Sequence, residues 1–410
     1  MNNSFLINST KISFVLLALL PLLKESFNSI LIILCSLMVI LNLIKSKLRN
    51  PFRNDLWLLT SLFWMFFLYE LVSGDFNFNL ALRYLPFLIL PIIFFYKPKY
   101  IDEKIKDISI KTFQVSAVVQ CIIYLFIFFK KHSLNQIFFI SLEGIPLFRE
   151  YVFSNYFFEI HPTYFSSYLL VSATISLFYL SLKKEKNKLF AFSNLILSIF
   201  FIFIFSSKII LIILFLTVVI FIVYILLKKK KAYSLKVIII SISLLFILIY
   251  PSSQIIVKRF NEIKTEINKP IVGDYYNSTN TRVAIIKCSI ILIKEVPLFG
   301  FGDELQQKLN ECYARTNDSE FYKISTFNTH NYYFNLILYG GWLFLIGFLF
   351  YIIVVYKKIK YSILGLFLLI QFLIINLTEN YFSRHFGVVL FTYFTSLFIF
   401  IKEKAEDEST

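Results

Sequence analysis

Apolar stretches of about 17–25 residues recur along this chain, separated by short basic clusters. A run of that length matches the thickness of a bilayer's hydrocarbon core and marks a spanning helix. Twelve such stretches are expected, at roughly 5–23, 27–44, 55–73, 79–96, 112–129, 163–182, 189–206, 209–227, 236–251, 331–356, 361–377 and 386–401. Lys11 and Pro21 interrupt the first. The chain is 58% hydrophobic, above the roughly 45–50% of soluble domains. The expected fold class is therefore all-α: a polytopic membrane protein of about twelve transmembrane helices.

Charge sets the orientation. The formal net charge of +16 would suggest nucleic acid in a soluble protein. Here the lysines crowd between apolar runs, as in cytoplasmic loops, so no nucleic-acid partner is expected. With the N-terminus inside, the lysine-dense segments 45–53, 97–111, 183–188, 228–236, 357–360 and the tail from Lys402 share that side. A frame shifted by one span would put all of them outside. The organisation is then a nine-span bundle over 1–251, a large outer loop over 252–330, and three spans with a short inner tail over 331–410. No cleavable signal is expected, because no small-residue cleavage site precedes Lys24-Glu25.

The outer side holds two longer segments, about 130–162 and 252–330. A loop as long as the second, inside a compact bundle, is usually functional. It opens with a charged, helix-prone piece at Lys258–Lys264 and turns through Pro270–Asp274. Asn280-Thr281 can cap a helix starting at Arg282. The run Val283–Ile293 is too short to span and too apolar for water, so it is expected to lie on the membrane surface. Pro297-Leu298-Phe299-Gly300-Phe301-Gly302 ends it in a tight turn, and a short polar helix follows at about 303–313. Cys288 and Cys312 share this loop, and a disulfide between them is the less favoured reading.

Reactive side chains gather at the outer ends. The chain has 4 histidines, and His330 sits where the polar loop meets the tenth span. Asn328 or Thr329 can cap that span, whose N-terminal dipole favours an anion. A neutral imidazole there suits a general base; the plainer reading is an interfacial histidine with no role. Arg282 suits bidentate grip on phosphate, or snorkels to headgroups. Lys208, after Ser206-Ser207, breaks the positive-inside pattern; it faces a phosphate or is an ordinary interfacial lysine. Arg83 lies near the outer end of the fourth span, where an ionisable group is a functional candidate by default. His161-Pro162 opens the sixth span, and Pro162 suits a helix start. Asn331 adjoins His330. Glu379 and Arg384 form the last outer turn and are open to pairing with each other. No metal-ligand cluster or serine triad is apparent. Cations with one base fit a reaction on a lipid-linked diphosphate.

These residues resemble the O-antigen ligase and polysaccharide polymerase superfamily. The resemblance lies in Thr281-Arg282, then Glu295-Val296-Pro297-Leu298-Phe299-Gly300-Phe301-Gly302, then Thr329-His330-Asn331-Tyr332-Tyr333-Phe334-Asn335-Leu336 leading to Tyr339-Gly340-Gly341. His161-Pro162-Thr163-Tyr164-Phe165-Ser166 resembles the family's histidine-proline start to a mid-chain span. The resemblance implies a GT-C-like membrane glycosyltransferase that is inverting, metal-independent and without a cofactor, working at the periplasmic face of the bacterial inner membrane. Its donor would be a glycan on undecaprenyl diphosphate, and its acceptor lipid A-core or another glycan. On the resemblance, His330 would activate the acceptor hydroxyl, with Arg282 and Lys208 on the diphosphate. By position alone, Arg83 joins the diphosphate-binding candidates, and His161, Asn331, Glu379 and Arg384 are supporting candidates. The family usually has arginine after the Ser-Ser turn; Lys208 keeps the charge but loses the fork. The His-Asn start and the extended loop lean towards a ligase over a repeat-unit polymerase. A transporter of lipid-linked sugars would need ionisable groups along a mid-membrane path, whereas spans such as 209–227 are almost wholly apolar.

Overall fold

The structure, a computed structural model, describes residues 3–46, 54–73, 76–130, 144–154, 160–182, 187–227, 261, 264–265, 278–316 and 326–401. The expected ninth span at 236–251, the turn at Pro270–Asp274 and almost all of the Lys258–Lys264 piece lie outside these residues. Among them there is no strand. The helices are α1 (Asn3–Leu16), α2 (Glu25–Ser46), α3 (Asn54–Ser73), α4 (Phe78–Tyr84), α5 (Pro86–Phe95), α6 (Glu103–Phe129), α7 (Gly144–Ser154) and α8 (Pro162–Ser181). They continue with α9 (Lys188–Phe205), α10 (Lys208–Leu227), α11 (Ser278–Glu295), α12 (Leu305–Thr316), α13 (Tyr332–Ile359), α14 (Ile363–Ile375) and α15 (His385–Phe400).

Among the described residues, 9 helical segments are long and apolar enough to cross a membrane, and α14 and α15 are shorter apolar helices. The chain is thus a multi-pass, all-helical membrane protein, and its described helices fall on the expected spans with four adjustments. A 3-10 turn, Leu17–Leu22, finishes the first span around Pro21. The fourth breaks at Leu85 because Pro86 cannot donate to the preceding turn. The fifth starts at Glu103, not 112, capped by Asp102; its lysines hid the first turns in a polar stretch. One of them, Lys106, is buried and donates to the Ile401 carbonyl at 3.2 Å. The eleventh has 13 residues, about 20 Å of helix, short of the ~30 Å hydrocarbon core. The chain after it is a buried irregular turn containing Asn376, Glu379, Asn380, Tyr381 and Phe382. Such backbone is tolerated near a membrane when protein surrounds it.

At the centre stands α8, with 94% of its spanning window buried. Its sequence explains this: serines, threonines and Ala173 let neighbours approach closely and bond to it. Gln114 Nε2 donates to Ser176 Oγ at 2.8 Å, Asn194 Nδ2 to Ser172 Oγ at 2.8 Å, and Gln371 Nε2 to Thr174 Oγ1 at 2.6 Å. Each such bond is worth about 0.6 kcal/mol on average in a membrane protein. These groups are neutral, unlike an ion path, and their amide donors find hydroxyl acceptors on α8.

The helix α11 starts at Ser278 rather than Arg282. Asn280 and Thr281 therefore lie buried within its first turn instead of capping it. One face of α11 buries Ala284, Ile285, Cys288 and Leu292, and the other exposes Val283, Ile286 and Ile290. A disulfide, Cys288–Cys312, staples α11 to α12, against the less favoured status that spacing alone gave it.

The two glycine motifs meet. Gly300 (φ +75°) and Gly341 (φ +74°) both lie in the left-handed region. Gly341 sits at a kink in α13, and the 297–302 turn docks there, with Phe301 N donating to Leu338 O at 2.8 Å. Tyr69 Oη seals the junction by donating to Phe299 O at 2.8 Å. Tyr339 Oη bonds to the buried Glu70 carboxylate.

Candidate active site

His330 has φ +44°, a backbone region where histidine is enriched but most residues are uncommon. Side chains and backbone on both sides hold it there. Asn328 Oδ1 accepts from His330 N at 2.9 Å. Asn331 Oδ1 caps α13 by accepting from Phe334 N at 3.1 Å. The cap is thus Asn331, not Asn328 or Thr329, because the left-handed turn at His330 moves the helix start one residue on. The same segment is sewn to the 376–380 turn. Tyr332 N donates to Asn376 O at 2.9 Å, Asn331 Nδ2 to Leu377 O at 3.0 Å, and Thr329 Oγ1 to Asn380 Oδ1 at 3.0 Å.

This stitching brings Glu379 to His330. Glu379 Oε2 stands 3.4 Å from His330 Nδ1, and its Oε1 stands 3.3 Å from Arg282 Nη2. Both contacts are longer than the roughly 2.7–2.9 Å of tight charge-assisted bonds. The carboxylate is 7% exposed, His330 32% and Arg282 49%. A buried acid therefore bridges a part-exposed imidazole and a half-exposed guanidinium. A neutral imidazole that donates Nδ1–H to this carboxylate presents Nε2 as the acceptor. Arg282 spends few of its N–H donors on Glu379, so others remain for an anion. Glu379 does not pair with Arg384 as the sequence allowed. The 3-10 turn Tyr381–Ser383 separates them.

His161 adjoins this group. Its Nδ1 accepts from Thr163 N at 3.3 Å and caps α8, with Pro162 in the first turn as expected. Burial holds its imidazole below the ordinary value; Glu379 pulls the other way, while Arg149, His330 and Arg384 reinforce the lowering. A histidine depressed in the fold stays neutral there while the unfolded chain takes up protons. Stability therefore falls as pH drops below about 6.5. His161→Asn, which keeps a capping oxygen, should flatten the fall of the thermal midpoint between neutral and mildly acidic pH. An unchanged slope in detergent melts would rule His161 out as its source.

The sequence reading missed Arg149 as a site residue. From α7 its Nη1 donates to Ser206 Oγ at 3.4 Å, and Ser207 Oγ donates to Thr163 Oγ1 at 3.3 Å. An arginine thus reaches the Ser-Ser turn from another element, where Lys208 begins α10 and is exposed. The only signal was an arginine in an outer segment, Phe148-Arg149-Glu150. Arg83 is not in the His330–Glu379–Arg282 chain; it lines a separate pocket with Arg384 and His385.

Comparison with known proteins adds a family. Residues 192–349 match the family model described as O-antigen ligase, which supports membership of the O-antigen ligase-like superfamily. The match covers Lys208, Arg282, His330, Asn331 and both glycine motifs. His161, Arg149 and Glu379 lie outside it. No curated protein matches the chain. The family indicates glycosyl transfer of the ligase or polymerase type, between a lipid-linked glycan and a glycan acceptor at a membrane.

Proposed function

We propose that this protein is an inverting, metal-independent O-antigen ligase-like glycosyltransferase of the bacterial inner membrane, acting at the periplasmic face. Its donor is a glycan on undecaprenyl diphosphate. The observation that carries this reading is the His330–Glu379–Arg282 bridge: one base and one phosphate-gripping cation held by a common carboxylate. The acceptor hydroxyl attacks the donor's anomeric carbon from the side opposite the diphosphate. His330 Nε2 takes the hydroxyl proton as the C–O bond to the acceptor forms. The bond from the anomeric carbon to the diphosphate oxygen breaks, and the diphosphate leaves with the electron pair. Arg282 and Lys208 meet its growing charge. Lysine orientation by the positive-inside rule supports a periplasmic site.

Glu379 positions the base by fixing which ring nitrogen holds the proton. Glu379→Gln should lower kcat about 100-fold, the scale of a misplaced catalytic group, with a smaller change in KM. Equal kcat in the variant would remove Glu379 from the machinery.

Purified protein given an undecaprenyl-diphosphate glycan and an acceptor in detergent, without any gradient, tests the reading. Transfer is expected, and its absence with an intact, monodisperse protein argues against an enzyme. Glycan ladders separate ligase from polymerase. Loss of a ligase leaves long lipid-linked glycan and bare acceptor; loss of a polymerase leaves single repeat units on the acceptor.

A further inference from the structure

Arg83 is costly where it stands, near the end of a spanning segment. It is part-buried and has no carboxylate ion-pair partner among the described residues. A pocket of about 620 Å³ lies against it, between the starts of α2 and α15 and the α4 segment. Arg384 and His385 line the same pocket, and Glu25 stands in its wall. His385 Nε2 is buried with no hydrogen-bond partner among the described residues, a state buried polar groups rarely keep without a missing partner. Ile33 and Leu82 also line the pocket, and they are 57% and 46% exposed. On a spanning bundle such residues face lipid, so the pocket opens sideways into the bilayer. Arg384 also acts electrostatically on His161 and Tyr164, so it stands between this pocket and the candidate active site.

The geometry points to a second lipid site: a phosphate-bearing lipid whose phosphate lies between Arg83 and Arg384, whose headgroup reaches His385, and whose chain runs past Leu82 and Ile33. Two guanidiniums on one pocket suit the oxygens and the negative charge of a phosphodiester. This site does not depend on the glycosyltransferase reading.

The test is native mass spectrometry of the full chain in detergent, titrated with phosphatidylglycerol or diacylglycerol, with inorganic phosphate as competitor. Wild type should retain one phosphatidylglycerol, discriminate against diacylglycerol, and keep the lipid in excess phosphate. Arg83→Gln should weaken retention about tenfold, the scale of one lost charged hydrogen bond. Arg384→Gln serves if Arg83→Gln does not fold. Lys294→Gln, an exposed cation on α11, should change nothing. Equal retention in wild type and both arginine variants overturns the site, as does equal retention of diacylglycerol. Displacement by inorganic phosphate overturns the lipid in favour of a free anion. His330→Asn should bind the lipid like wild type; if it also keeps transfer activity, the enzymatic reading fails while this site stands.

Discussion

Replacing His330 with asparagine should remove glycosyl transfer by about 10²–10⁴-fold, the range for losing a general base, while the protein still inserts and accumulates. Asparagine is the better probe than alanine. His330 has φ +44°, a conformation that asparagine tolerates and alanine resists. His330→Ala should also lose transfer, but part of any drop in protein level would come from the backbone. Among the described residues, the imidazole's one hydrogen-bonded side-chain neighbour is Glu379 at 3.4 Å, so removing the ring costs the fold little. Surface-glycan blots alongside protein levels read both consequences. A normal glycan pattern from accumulating His330→Asn would end the assignment of His330 as the base.

Much of the bundle was legible because lipid leaves few options. A long apolar run must be a helix, and lysine clusters mark its inner ends. Legibility failed where a residue's partner is remote in sequence. Glu379 lies 97 residues from Arg282 and 49 from His330, and nothing in its own neighbourhood announces either. Arg149 reaches Ser206 across 57 residues. Local competition also misled. Asn328, Thr329 and Asn331 can each cap a helix, and only the left-handed turn at His330 selects the last. The polar start of α6 read as loop because Lys106 was counted as solvated, whereas its ammonium is buried against a carbonyl and the Phe398 ring.

The largest effect on stability should come from Gly341→Ala. Gly341 combines φ +74° with ψ −176°, a region open essentially to glycine alone. A Cβ there would also collide with the Leu298 carbonyl, which is backbone and cannot swing away. Strain of this kind costs about 1–3 kcal/mol, and the collision adds to it, so the thermal midpoint should fall sharply. Gly347→Ala is the control, because its Cβ would press on the Met65 sulfur, the end of a flexible chain. Gly300→Ala meets the Tyr339 carbonyl from the other side of the same junction. The two damaging changes share one contact, so their costs should not add. The consequence extends to chemistry. The 297–302 turn fixes the end of α11, and the start of α11 carries Arg282. Any surviving Gly341→Ala protein should therefore also transfer poorly, its guanidinium displaced from Glu379. A wild-type midpoint in Gly341→Ala would show that the turn does not dock on the kink, and would separate Arg282 from the rest of the site.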